Sequence, residues 1–159
     1  MSAVVRKAVP EDAEAARVVV RRSITECCAE DHRNETAILA RWLDNKTAAN
    51  LRSWFQSRGY PVVAVDEGRT VGTAMLGANG SIALLYLVPE ARFRGIGKVL
   101  LSALETEASK RGLVELQVNS TKTAHDFYRR NGYSDTGHEE SEFGLTARRM
   151  KKDIAVIAT

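Results

Sequence analysis

Residues 81–112 read SIALLYLVPEARFRGIGKVLLSALETEASKRG: an apolar run stopped by Pro89, a basic turn with two glycines, and a helical repeat. Ile82–Val88 is apolar on both sides of its alternation, as in a central strand covered on two faces. Ile96, Val99, Leu100, Ala103, Leu104 and Ala108 then recur on one helical face, and Gly112 supplies the residue type that ends such a helix. In Leu113–Asn119, Val114, Leu116 and Val118 alternate as in a strand. Strand, turn, helix and strand in this order form the unit of an α/β domain. The basic turn from Arg92 to Lys98 is thereby placed at a helix N-terminus.

The flanking sequence fits the same class. Val4 to Val9 is predicted as a first strand, closed by Pro10, and residues 11–31 begin acidic and continue with apolar residues at helical spacing. A second helical region over residues 35–56 carries Ile38, Trp42, Leu51, Trp54 and Phe55 and breaks near Asp44 to Thr47. Asp66-Glu67-Gly68-Arg69 is a hairpin signal between two β-rich runs, and Gly77 to Gly80 marks another turn. A capped helix ends at Asn131-Gly132, and YSDTGHEE and LTARRMKKDI are the last two predicted strands. At 159 residues and 44% hydrophobic, the chain reads as one domain over 1–159, long enough to bury about 70% of its unfolded surface.

Charge and cysteine content exclude several classes. Lys and Arg number 23 against 20 Asp and Glu, a net charge of +3 too mild and too evenly spread to imply a nucleic-acid or membrane partner. The basic run ARRMKK has no aromatic platform beside it and reads as a solvated edge strand; an exposed edge of this kind is compatible with a homodimer. With neither an apolar leader nor an 18-residue apolar run, the sequence reads as cytoplasmic. Cys27 and Cys28 are adjacent on a helix, which suits neither a disulfide nor a zinc site, and His32 has no second histidine at metal-ligand spacing. No metal is expected.

A helix beginning near Gly95 directs unpaired N–H groups and its positive dipole end outward, and glycines let a ligand approach that backbone. Arg92, Arg94 and Lys98 add cationic donors, so a pyrophosphate fits better than a single carboxylate. The nucleotide loop G-x-x-x-x-G-K-S/T fails on glycine spacing and on Val99 after the lysine. The dinucleotide pattern G-x-G-x-x-G fails at Leu100.

Arg92-x-x-Gly95-x-Gly97 before an apolar helix resembles the acyl-coenzyme A loop of GNAT-type N-acetyltransferases, Gln/Arg-x-x-Gly-x-Gly/Ala. NSTKTAHDFYRRNGY is similar to that family's second cofactor motif, an Asn at a strand end followed by a helix ending F-Y-x-x-x-G-F/Y. The resemblance implies a twisted, mixed but mostly antiparallel sheet of six to seven strands with flanking helices, and acetyl-coenzyme A wedged between splayed fourth and fifth strands. It assigns the backbone of Leu87 and Val88 to the pantetheine arm, Arg92, Arg94, Gly95, Ile96, Gly97 and Lys98 to the pyrophosphate, and Asn119 to the arm or a bridging water. Tyr128 matches the family's general acid for the coenzyme A sulfur, or packs its ring beneath the cofactor. Phe93 stands where many members have glycine.

The activity implied is acetyl transfer from acetyl-coenzyme A to a primary amine by direct attack in a ternary complex, with the Leu87 N–H polarising the thioester carbonyl. An alkylamine titrates near pH 10.4, so its proton must be removed directly or through water. The fourth strand carries no carboxylate. Glu26 is the candidate base, and Glu30, Asp31 and His32 are candidate acceptor contacts at the end of the first helix. Glu139, with Glu140 and Glu142, is placed in the loop before the last strand, as the other acceptor wall. The acceptor class is a small-molecule or peptide amine. A noncatalytic acyl-coenzyme A sensor is the alternative.

Overall fold

The computed structural model describes residues 3–155. Strand β1 (Val4–Lys7) leads into helix α1 (Ala13–Cys27), the short α2 (Ala29–His32), α3 (Thr36–Leu43) and α4 (Ala48–Phe55). The predicted break between the last two falls at residues 44–47, where the Thr47 hydroxyl accepts from the Asn50 N–H and starts α4. Strands β2 (Tyr60–Asp66), β3 (Arg69–Leu76) and β4 (Ile82–Leu87) follow, then α5 (Ile96–Lys110), β5 (Glu115–Ser120), α6 (His125–Arg130), β6 (Ser134–Glu142) and β7 (Leu145–Asp153). Val114, expected inside a strand, precedes β5 and is 64% exposed.

Two antiparallel sheets, ordered β1-β2-β3-β4 and β5-β7-β6, replace one continuous sheet. Among the described residues the one backbone pairing between them is a parallel bridge, Ser81 with Gln117, where the Gln117 N–H donates to the Gly80 carbonyl. The expected splay is therefore a complete parting beyond the first residues of β4. Among the described residues no helix is long and apolar enough to cross a membrane, and no three His, Cys, Asp or Glu group as a metal site.

The first sheet is covered on both faces, which explains its continuous apolar runs. Val62 and Ala64 of β2 and Ala74 and Leu76 of β3 pack with Leu100, Leu101 and Leu104 of α5. Their alternates Val63 and Met75 pack with Ala13, Ala16, Leu51 and Phe55 from α1 and α4. A register shift at Met75/Leu76 puts Ile82 on the α5 side and Leu84 on the other, although the two are of equal parity. Each fully buried Leu of α5 contributes about 1.5–3 kcal/mol, so the helix that follows the basic turn is firmly seated.

Candidate active site

The parting of β4 from β5 determines which backbone groups are open. The Val88 N–H donates to the Val71 carbonyl at 2.9 Å and is closed to a ligand, while its carbonyl accepts from Ala91 at 3.0 Å and keeps a second lone pair. Only the carbonyl half of its expected role is open. Alternation along an antiparallel pair turns Leu85 and Leu87 the opposite way, from β3 toward the parting. Both line a cleft of about 590 Å³ whose other walls are the 92–98 turn, the 121–124 turn, α6 and the end of α1.

At the cleft's basic end, two glycines are needed for different reasons. Gly95 precedes α5 with φ +82°, a left-handed conformation, yet has open space around its Cα. Gly97 is helical, and a Cβ there would meet the Phe127 ring at 3.2 Å and narrow the cleft. Ile96 buries its side chain completely, leaving only its backbone for a ligand. Arg92 and Lys98 line the cleft, whereas Arg94 pairs with Asp66 at 3.0 Å and is not on its wall. Arg130 of α6, which the sequence did not single out, supplies a further cation to the wall.

A second cavity, of about 850 Å³, adjoins the first; Tyr86 and Thr121 line both. Tyr86 is half-buried, and burial pushes its phenol above the ordinary tyrosine range. Tyr128 is 4% exposed, stacked edge-on with Phe127 and Tyr133, and is not on the cleft wall. Burial, and then the neighbouring Tyr86, raise its phenol as well, keeping it protonated at neutral pH. The Cys28 thiol on the cleft wall is pushed up to about 12, chiefly by burial, and is inert as a nucleophile at neutral pH.

Several expected site residues are engaged elsewhere. The His32 ring is fully buried: its Nδ1 accepts from the Asn34 N–H, so Nε2 carries the proton donated to the Ile24 carbonyl. It fixes α2 to α1 and lines neither cavity. Asp31 lines the second cavity, but its carboxylate accepts from the N–H groups of Lys122 and Thr123 and from the Thr123 hydroxyl. Glu26 is exposed, pairs with Arg22 at 3.0 Å and lines neither cavity; Glu30 is exposed and off both walls.

Glu139 lies in strand β6 rather than a loop, and faces Arg148 at 3.3 Å, outside the cavity. Glu140 and Glu142, two residues apart, share the face that lines the cavity. Asn119 stands with Glu115 and Gln117 on the polar side of β5. It lies between Glu140 and Arg149, each at 3.4 Å, and lines the second cavity instead of the cleft. Thr121, two residues on from Asn119, lines both the cleft and the second cavity, its hydroxyl accepting from the Ala124 N–H.

The arrangement can hold an elongated anionic donor along β4 and bring a second molecule to its end. The acetyltransferase (GNAT) domain pattern matches residues 28–154. A crystal structure from Rhodopseudomonas palustris, described as a GCN5-related N-acetyltransferase and class II aminotransferase, has a TM-score of 0.86 and 27% identity, covering 97% of each chain. PaiA N-acetyltransferase from Thermoplasma acidophilum, solved with coenzyme A, has a TM-score of 0.80 and 25% identity over 97% of this chain and 100% of that one. The uncharacterized Bacillus subtilis protein YyaT is 26% identical over 97 residues, 59% of this chain and 66% of that protein. By its cleft and by the pattern that spans most of its length, the chain belongs to the GNAT acetyltransferase family.

Proposed function

We propose that the protein is an acetyl-coenzyme A-dependent N-acetyltransferase that joins donor and amine in a ternary complex. The observation that carries this reading is the meeting of two cavities at Tyr86 and Thr121, beside the outward-turned backbone of Leu85 and Leu87. PaiA, at a similar fold, was solved with coenzyme A, which supports the cleft as the donor site.

In this reading the pyrophosphate rests on the amides of residues 95–97 with Arg92 and Lys98, and the pantetheine arm follows Leu85 and Leu87. The Leu87 N–H polarises the thioester carbonyl. The amine enters through the second cavity, whose wall carries Asp44, Glu140 and Glu142 beside Arg41 and Lys46, and the carboxylates meet its ammonium form. Glu140, which lines the second cavity and accepts from the Asn119 amide, replaces Glu26 as the base and takes the ammonium proton directly or through water. The free amine attacks the carbonyl carbon, the C–S bond breaks as the tetrahedral intermediate collapses, and the amide nitrogen releases its second proton to solvent. Tyr128, buried beside Tyr86 and off the cleft wall, supplies the departing thiolate's proton by way of the Tyr86 phenol, which lines both cavities, and the tyrosinate regains a proton from solvent by the same route. With the Cys28 thiol protonated, no acyl-cysteine step is invoked.

Coenzyme A thiol release is the test, using polyamines, amino sugars, amino acids and peptide N-termini as acceptors and mass spectrometry of the product. Acetylated amine is the expected result. Tight acetyl-coenzyme A binding with no turnover across the panel would move the noncatalytic sensor ahead.

A further inference from the structure

Phe93 is out of keeping with the rest of the apolar residues. At 87% exposed it is the most open of the large hydrophobic side chains among the described residues. Its backbone φ is +63°, a left-handed conformation that a bulky residue adopts at a cost and glycine does not. The ring nevertheless lines the cleft, beside the turn that carries the cationic cradle. The Arg92 guanidinium lies 4.7 Å from the ring centroid and so occupies one face of the π-system, leaving the remainder of the ring open.

We infer that the Phe93 ring is a stacking platform for the adenine base of the acetyl-coenzyme A donor. The inference rests on the reading of this cleft as the donor site and adds the residue that grips the donor's nucleoside end. Order along the cleft supplies the reason. The outward backbone of Leu85 and Leu87 takes the amide-bearing arm and the 92–98 turn takes the phosphates, so the nucleoside emerges beyond the turn. There the exposed aromatic face is Phe93, one residue from the phosphate-side Arg92. A flat base placed on a ring whose other face carries a guanidinium excludes water from both.

Calorimetric titration of acetyl-coenzyme A and of acetyl-4′-phosphopantetheine, which lacks the 3′-phospho-AMP half and keeps one phosphate, tests this with wild type, Phe93→Gly, Phe93→Leu and Phe93→Trp. Glycine adopts the native φ freely, so Phe93→Gly removes the ring while retaining the loop conformation. The expected result is acetyl-coenzyme A binding weakened about 5- to 30-fold by Phe93→Gly and by Phe93→Leu, and retained by Phe93→Trp, in the range of a base–aromatic stack. The affinity for acetyl-4′-phosphopantetheine stays level, and adenine protons that shift upfield on binding to wild type do not shift with Phe93→Gly. Unchanged acetyl-coenzyme A binding by Phe93→Gly, or equal weakening of both ligands, overturns the inference and leaves the donor site standing. A wild type that binds neither ligand overturns both readings.

Discussion

The two cavities that the proposed function assigns to donor and acceptor share Tyr86 and Thr121 but are built on opposite plans. The cleft draws its walls mainly from two short stretches, residues 85–98 and 121–131, and offers backbone groups, glycines and cations. The cavity collects single side chains from α2, α3, the 44–46 turn, β5 and the β6–β7 hairpin. Backbone chemistry repeats wherever the same turn is written, whereas a wall assembled from distant side chains changes with each substitution. A constant donor frame beside a variable acceptor wall is the division that follows.

The largest effect is expected on the wall of the second cavity. Glu140→Gln should lower kcat/KM for the amine about 100- to 1,000-fold, the range of a general base, while acetyl-coenzyme A affinity holds. Glu26→Gln, held on the surface by Arg22, should leave kcat/KM within about twofold. Steady-state kinetics on the pair decide it, and the reverse order of effects would return the base to the end of α1.

Tyr128→Phe follows, with kcat lowered about 30- to 100-fold at constant acetyl-coenzyme A affinity. Because burial raises the Tyr128 phenol, its proton is present at neutral pH and is lost only above the ordinary tyrosine range. The kcat profile should therefore have no Tyr128 limb below about pH 10. A limb at lower pH that Tyr128→Phe abolishes would contradict the effect of burial. If Tyr86→Phe produces the larger loss, the donor is the phenol that lines both cavities.

These expectations also measure what the sequence made legible. The cradle was readable because glycines, cations and a helix start are contiguous, and the physics of an anion site acts over one turn. The pairing of Arg94 was not readable because its partner Asp66 is 28 residues away at the β2–β3 hairpin, a contact only the fold creates. Glu139 and Glu140 are adjacent, and only the register of β6 on β7 separates the residue facing Arg148 from the one facing the cavity. Asn119 was open to correction, since the alternation that buries Leu116 and Val118 sets it on the polar side. For His32, an acidic-looking turn gave no signal of burial.

Within the cradle, Arg92→Ala with Lys98→Ala should weaken acetyl-coenzyme A binding about 10- to 50-fold by loss of charge-assisted contacts. Arg94→Ala should change it less than about twofold, because a surface pair with Asp66 is all it removes. Calorimetry at constant salt checks both. A large effect of Arg94→Ala would mean that the arginine leaves Asp66 when the donor binds.

The last position is Asp31, where the two regions are joined mechanically and the effect is expected on stability more than on turnover. Its buried carboxylate receives three hydrogen bonds from Lys122 and Thr123, so α2, on the acceptor side, holds the turn that forms a donor wall. Asp31→Asn keeps the shape, but one of its oxygens becomes an amide that cannot accept, leaving a buried N–H without its partner at a cost of about 1–3 kcal/mol. In a chain of this length the melting temperature should fall by about 3–10 °C. Turnover at saturating substrates should fall less than about tenfold, because the substitution touches no reacting atom. Adding Thr123→Val to Asp31→Asn should cost less than the sum of the two, since they share the same bonds. Strict additivity would show that the 121–124 turn keeps its shape without Asp31, and the two walls would then be independent in mechanics as well as in composition.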